Sequence, residues 1–204
     1  PFGSLAGPGI WPYAELLPIP DPAHQVTLGE GSTPLIAVPR LAAAMGLDNL
    51  WLKFDGLNPT GTVKDRSAVT AVAAARQFGF ARIGVVSTGN AAPAIAAYAA
   101  RAGIRALVLS SATSSRPKVS HVNALTADFM MYRGNYDDLI GAFDRAIDSR
   151  VVFDGGASRN PYKQDGKKTL AYEIFEQLGL QAPDYVVYPV GMGMVASALL
   201  KAGH

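Results

Sequence analysis

The chain has 204 residues, of which 49% are hydrophobic and 17% are charged, and its formal net charge is +2. This composition excludes a globally disordered chain, and the small positive excess argues against nucleic acid as the main partner. Because the sequence contains no cysteine, disulfide bonds, thiolate metal sites and a cysteine nucleophile are excluded. The histidines are few and scattered, so we predict no metal site, and no apolar run has the length of a membrane span.

Short β-rich runs alternate along the chain with longer segments whose apolar residues recur at helical spacing. The predicted strands are 50–54, 83–86, 106–109, 129–132, 151–153 and 185–190, and the predicted helices are 65–78, 91–102, 118–127, 136–149, 167–178 and 194–202. Because parallel strands are joined by crossovers that usually contain a helix, this alternation predicts an α/β fold with a parallel sheet covered on both faces. The proline-rich residues 1–50 are predicted to be extended and irregular.

Lys64 follows a turn rich in proline and glycine, residues 58–63, and stands at the start of a predicted helix. A cation there meets the positive end of the helix dipole, which favours the neutral amine. A neutral amine is a nucleophile that can form a Schiff base with an aldehyde and then act as a base, which an arginine cannot do. An exposed loop lysine is the simpler alternative.

Two further turns follow predicted strands, where ligands of open α/β sheets bind. Ser87, Thr88 and Asn90 come directly after strand 83–86, and they could bind a ligand or only cap the next helix. The second turn, Gly191-Met192-Gly193-Met194, comes before a helix and could bind phosphate or be a simple connection. With Ala196 the second turn also matches a nicotinamide dinucleotide fingerprint, but the acidic partner of that motif is absent, so a nicotinamide-dependent oxidoreductase ranks last.

Cations also collect elsewhere in the sequence. Asn160 and Lys163 are predicted to lie in a polar loop, and residues 166–169 are predicted to open the next helix near another phosphate locus. Lys118 could meet an anionic substrate. For any one of these positions taken alone, a charge solvated in a loop is the favoured interpretation.

Taken together, and in the order in which they occur along the chain, these motifs resemble those of the fold type II pyridoxal phosphate enzymes. The resemblance is greatest to the threonine synthase branch of that family. The resemblance rests on segments 9–11, 28–35, 53–66, 87–90, 160–162, 166–169 and 189–191. It implies two parallel-sheet, three-layer domains, with residues 51–150 forming a smaller mobile domain. Residues 1–50 and 151–204 would belong to a larger domain that is incomplete here, because family members are longer.

The resemblance also implies roles for individual residues. Lys64 would hold pyridoxal 5'-phosphate as a Schiff base and then move protons, and Asn90 would bond the ring hydroxyl oxygen of the cofactor. Residues Gly191 to Met194 would hold its phosphate. Ser87 and Thr88 would lie near the substrate carboxylate, and Lys118 would meet the substrate phosphate.

For this branch the implied reaction is elimination of phosphate from O-phosphohomoserine, followed by addition of water to give L-threonine. The resemblance implies a homodimer, and the cytoplasm is the default compartment for this sequence without cysteine. Residues 63–66 also resemble the cysteine synthase branch, so a β-replacement or threonine dehydratase enzyme is an open alternative. A truncated, non-catalytic relative that binds a metabolite or a partner is another.

Overall fold

The computed structural model describes residues 8–112, 116–125, 127–134, 136–156 and 159–202. Its strands are β1 (Leu35–Ala37), β2 (Trp51–Lys53), β3 (Arg82–Val86), β4 (Arg105–Ser111), β5 (Asp128–Tyr132) and β6 (Phe153–Asp154). Its α-helices are α1 (Pro39–Ala44), α2 (Lys64–Gln77), α3 (Ala91–Ala102), α4 (Arg116–Ala124), α5 (Tyr136–Asp148), α6 (Pro161–Gln177) and α7 (Met194–Ala202). Short 3-10 helices lie at Trp11–Leu16, Pro22–His24 and Asp55–Leu57.

The central sheet contains four parallel strands in the order β5-β4-β3-β6. Side chains along β3 alternate between its two faces, as the pleat requires. Ile83 and Val85 pack into the core that α2 and α3 share. A side chain on Gly84 between them would collide with Phe143 of α5 on the opposite face. The predicted α/β fold, with a parallel sheet covered on both faces, is therefore confirmed.

Helix α2 lies at the centre of the protein. Every residue from Asp65 to Ala75 is buried, so the helix has no solvent face. It packs against both α3 and α6. Its many alanines allow this close packing on all sides, and the helix therefore places its first residue, Lys64, on a rigid support.

The amino-terminal part of the chain differs from the prediction. β2 was predicted as a buried strand of the parallel sheet, but it pairs antiparallel with β1 outside that sheet, and Trp51 and Leu52 are 45% and 49% exposed. Helix α1 also forms inside the segment predicted to be irregular. The reason is that Pro39 occupies the first turn of α1, where a proline needs no N–H and favours the helical φ angle.

Residues 185–190 form no strand, although their composition predicts one. The run is mostly exposed, with Tyr185 at 89% and Val187 at 97%. A strand forms only when a neighbour accepts its backbone hydrogen bonds, and none of the strands in the described ranges is hydrogen-bonded to this run. The division of the chain into two domains stays a prediction.

Candidate active site

The turn that leads to Lys64 is held by the residues around it. Gly61 has a φ of +76°, a left-handed conformation that glycine adopts without strain. The buried Asp65 carboxylate accepts hydrogen bonds from Thr60 N at 3.1 Å and from Thr60 Oγ1 at 2.9 Å. Lys64 N donates to Thr62 Oγ1 at 2.9 Å. These bonds fix the turn, so α2 begins at Lys64, one residue before the predicted start.

The Lys64 side chain is half-buried, and burial lowers the pKa of its amine below the ordinary lysine value. The lowered pKa favours the neutral amine that the sequence predicted. The cause differs, because the prediction invoked the helix dipole and the structure provides removal from water. Lys64 is thus suited to act as a nucleophile and a base.

Arg66, two residues further along α2, joins four segments of the chain. It is fully buried, and its guanidinium donates to Asp55 Oδ2 at 2.8 Å and to Glu173 Oε1 at 2.6 Å. It also bonds Thr33 Oγ1 at 3.1 Å and Thr169 Oγ1 at 3.0 Å. Because all of these partners lie on other elements, Arg66 fixes the first turn of α2 to its surroundings.

The carboxylates beside Arg66 stay ionised. Burial alone would raise the pKa of Asp55 and of Glu173, but hydrogen bonds and charge from Arg66 outweigh it and hold both pKa values below the ordinary ones. Lys53 Nζ adds a further contact to Glu173 Oε2 at 2.7 Å. Together with Arg66, these side chains form a buried ion-pair network next to the start of α2.

Gly166 brings α6 into direct contact with α2. A Cβ atom at this position would overlap the carbonyl oxygen of Arg66 and the Oγ1 atom of Thr70. Only glycine permits this approach of the two backbones. Lys163 and Lys167 flank Gly166 on α6, so the same contact brings both lysines toward Lys64.

Replacing Gly166 with alanine is expected to lower the free energy of unfolding by about 1–3 kcal/mol, because the helices must separate. The matched control is Gly141→Ala in α5, where a Cβ meets nothing closer than Arg145 Nη1 at 3.8 Å. That change is expected to stabilise by about 0.5–1 kcal/mol. Urea denaturation checks both, and equal effects of the two changes would contradict the close-contact role of Gly166.

Lys163 and Lys167 are buried on α6 and do not lie in a solvated loop. The prediction of a helix start near residue 167 is wrong, since α6 begins at Pro161. The side chain of Asn160 caps the helix by accepting from Lys163 N at 3.3 Å, and Pro161 suits the first turn. Lys163 Nζ donates to Gly155 O at 2.7 Å, directly after β6.

Burial lowers the pKa of Lys163 to about 8 and that of Lys167 to about 7. Repulsion by the charges of Lys163 and Lys64 contributes to the lowered pKa of Lys167, and repulsion by Lys64 contributes to that of Lys163. The three amines are therefore close enough to repel one another. The structure gathers them into one cationic cluster, which we call the lysine cluster (Lys64, Lys163 and Lys167).

The turn at residues 191–194 lies beside this cluster. Lys167 Nζ contacts Met194 Sδ at 3.6 Å, and Gln164 Nε2 donates to Ser197 Oγ at 2.6 Å, so α6 is tied to the first turns of α7. Gly193 has a φ of +75°, and α7 begins at Met194 as predicted. Met192 is 72% exposed.

The lysine cluster gives an expected pH dependence in the cofactor-free protein. Between pH 7 and the ordinary lysine value near 10.4, Lys167 is deprotonated in the folded protein but protonated in the unfolded chain. Raising the pH in this window therefore stabilises the folded state. We expect wild type to gain stability relative to Lys167→Met from pH 7 to pH 9, measured by urea denaturation. A constant difference would contradict the buried amine.

The Ser87–Asn90 turn lies at the carboxyl end of β3, as predicted. Ser87 Oγ accepts from Gly89 N at 3.1 Å, and the exposed Asn90 precedes α3 without a side-chain capping bond. Ser87, Thr88 and Gly89 line a small pocket together with Phe129. The capping alternative therefore fails for Asn90, whose amide is available to a ligand. In the described part of the chain, no hydrogen bond joins this turn to Lys64.

Lys118 lies in α4, but its side chain falls outside the described residues. Over the described ranges, no group of three or more metal-binding side chains is found. None of the described helices is both long and apolar enough to cross a membrane.

Sequence reasoning noted Lys163 and residues 166–169 near a possible phosphate locus, but it placed Lys163 in a loop and did not connect these lysines with Lys64. The available signal was the Asn160-Pro161 pair, which is typical of a helix start. A helix from residue 161 places Lys163 and Lys167 one turn apart on the same face. With Lys64 already singled out, that spacing would have pointed to a shared cationic site.

An α/β sheet with a lysine cluster next to a glycine-containing turn is suited to bind an anion beside a reactive amine. The chain belongs to the family of pyridoxal-phosphate dependent enzymes, whose family model matches residues 26–202. The resemblance stated above and its cofactor, pyridoxal phosphate, are therefore confirmed at the level of the family. The roles of individual residues and the homodimer stay predictions.

Several relatives are threonine synthases. The threonine synthase of Methanosarcina acetivorans is 38% identical over 195 residues, which cover 95% of this chain and 47% of that protein. The threonine synthase of Synechocystis sp. is 40% identical over 181 residues, covering 88% of this chain and 47% of that protein. The chain thus spans about half the length of these curated relatives.

Solved structures show the same fold. Diaminopropionate ammonia lyase of Escherichia coli, in its apo form, aligns with a TM-score of 0.77 at 21% identity, covering 92% of this chain and 58% of that chain. Maize serine racemase aligns with a TM-score of 0.76 at 21% identity, covering 83% and 51%. The described fold is thus that of fold type II enzymes, and the chain covers only part of their length.

Proposed function

We propose that the protein is a pyridoxal phosphate-dependent enzyme of the threonine synthase type. It would eliminate phosphate from O-phosphohomoserine and add water to give L-threonine. The observation that carries this proposal is the half-buried Lys64, whose amine has a lowered pKa and begins the fixed, central helix α2. The threonine synthase relatives favour this reaction over β-replacement and dehydration.

The residues present fit the cofactor. Lys64 offers an amine whose pKa is lowered by burial, which favours attachment, and Asn90 offers an amide that no capping bond occupies. The turn from Gly191 to Met194 leads into α7, whose first N–H groups are available to a phosphate. When bound, pyridoxal phosphate supplies an aldehyde and an electron sink for carbanions.

The protein's own groups would then manage the protons and the substrate. Lys64 would take a proton from the substrate carbon and return it, because burial lowers the pKa of its amine and so favours the neutral form that acts as a base. Ser87 and Thr88 would bind the substrate carboxylate, and Lys118 its phosphate. The proposal also includes a homodimer, which the resemblance implies, and a location in the cytoplasm.

Borohydride reduction of the full-length protein with pyridoxal phosphate, followed by peptide mapping, tests the cofactor assignment. We expect the label on Lys64, and label spread over surface lysines would contradict the assignment. Phosphate release and threonine formation from O-phosphohomoserine test the reaction. Faster turnover of O-acetylserine with sulfide, or faster ammonia release from threonine, would overturn the threonine synthase assignment and leave the cofactor in place.

A further inference from the structure

Lys167 is a buried amine that has no acidic partner among the residues that the structure describes. Its side chain is 3% exposed, and in the described part of the chain the one hydrogen bond of its ammonium is to the Met194 thioether sulfur at 3.6 Å. A thioether is a weak acceptor. The charges that act on Lys167 are those of Lys163 and Lys64, and both repel it. Because buried charges are normally paired, this environment is one that an anion would complete.

The Lys167 ammonium is directed at the amino-terminal end of α7. Met194, the residue it contacts, is the first residue of that helix. A Cβ on Gly191 or Gly193 would meet nothing within 4 Å, so the turn before α7 faces open space. A helix start with free N–H groups and a neighbouring ammonium is a favourable site for a phosphate group.

The other two amines of the lysine cluster are already engaged. Lys163 Nζ donates to Gly155 O at 2.7 Å, and it feels the negative charge of Asp154. Lys64 is the nucleophile of the proposed function. The side chains of Met192 and Met194 donate no hydrogen bonds, so the turn itself offers a phosphate only backbone N–H groups. Lys167 is thus the side chain that can add charge there.

We propose that Lys167 binds the 5'-phosphate of pyridoxal phosphate at the start of α7. This inference rests on the proposed function. It assigns the charged phosphate-binding side chain to α6, because the turn of residues 191–194 contains none. A phosphate monoester of the substrate has the same chemistry, so the experiment must separate the two sources.

The test compares Lys167→Gln with wild type in the full-length protein, using pyridoxal phosphate and pyridoxal as ligands in an absorbance titration. We expect Lys167→Gln to weaken pyridoxal phosphate binding by about 10- to 100-fold, the scale of one hydrogen bond to a charged group. Pyridoxal, which lacks the phosphate, should bind both proteins equally. The matched control Lys168→Gln removes a neighbouring lysine that pairs with Asp165 at 2.8 Å, and should change neither affinity.

Equal affinity of wild type and Lys167→Gln for pyridoxal phosphate would overturn the inference, as would equal losses for the two ligands. If the variant instead weakens only O-phosphohomoserine binding to the cofactor-loaded enzyme, the substrate phosphate is the ligand and the inference is wrong. If borohydride reduction of the wild-type protein does not label Lys64, the proposed function itself is contradicted. The comparison of Lys167→Gln with wild type cannot give that result, so the two failures can be told apart.

A measurement on wild type alone covers the case in which the variant does not fold. Phosphate beside Lys167 would restore its proton at pH 8, where the free enzyme has lost it. Calorimetry in two buffers of different ionisation heat should therefore show more proton uptake for pyridoxal phosphate than for pyridoxal. Equal uptake for the two ligands would overturn the inference.

Discussion

Replacing Lys64 with alanine is expected to abolish covalent attachment of pyridoxal phosphate and to lower threonine formation by a factor on the order of 10³ or more. The physical reason is that, in the proposed function, the half-buried amine with a lowered pKa would be both the point of attachment and the base. The visible absorption band of the bound cofactor, borohydride labelling and phosphate release measure the effect. The fold should persist, because Lys64 makes no side-chain ion pair in the described residues.

Two controls sharpen this prediction. Lys64→Arg keeps the positive charge but cannot lose a proton, so it should be as inactive as the alanine variant. Lys201→Ala removes an exposed lysine at the end of α7 and should leave the spectrum and the activity unchanged. An unchanged cofactor spectrum in Lys64→Ala would contradict the assignment, and full activity in Lys64→Arg would mean that charge alone matters.

Replacing Arg66 with methionine is expected to lower the free energy of unfolding by about 3–5 kcal/mol. The change keeps an apolar stem but removes the guanidinium that bonds Asp55 and Glu173, and the two carboxylates stay buried. The loss should be largest above the ordinary carboxyl pKa values near 4, because the lowered pKa values stabilise the fold only where both groups are ionised. Below that pH the difference from wild type should shrink.

Arg105→Met serves as the control for charge removal in general. Arg105 pairs with Asp128 at 2.7 Å on the surface, where the arginine side chain is 65% exposed. Exposed ion pairs contribute little, so the effect should be small. Urea denaturation at pH 7 and pH 4 compares the two variants, and similar losses for both would show that burial of the network does not matter.

Much of the fold could be predicted from sequence, because its signals are local. The strands at residues 83–86, 106–109 and 129–132 are short apolar runs between helical segments, and that alternation requires parallel pairing. The helix over residues 91–102 was predicted with the bounds observed for α3. Lys64 could be singled out because the turn before it has a distinctive composition.

The remaining features depend on contacts that composition does not encode. Residues 185–190 have the composition of a strand, but a strand also needs a partner. Lys163 and Lys167 are buried because Gly166 lets α6 contact α2. The sequence does not reveal this role, because a glycine inside a helix ordinarily only destabilises the helix. The pairing of Arg66 with Glu173 links residues that no local pattern connects.

The ion pair between Arg66 and Glu173 has a consequence for the folding order of the chain. The two residues are 107 positions apart in sequence, and closing so long a loop costs chain entropy before any contact is gained. A chain synthesised from its amino terminus exposes Asp55 and Arg66 well before Glu173 exists. During that interval Arg66 can pair with Asp55 alone. The support beneath Lys64 is therefore completed only when α6 docks, so the site matures after the β3-α3-β4 unit has formed from its near neighbours.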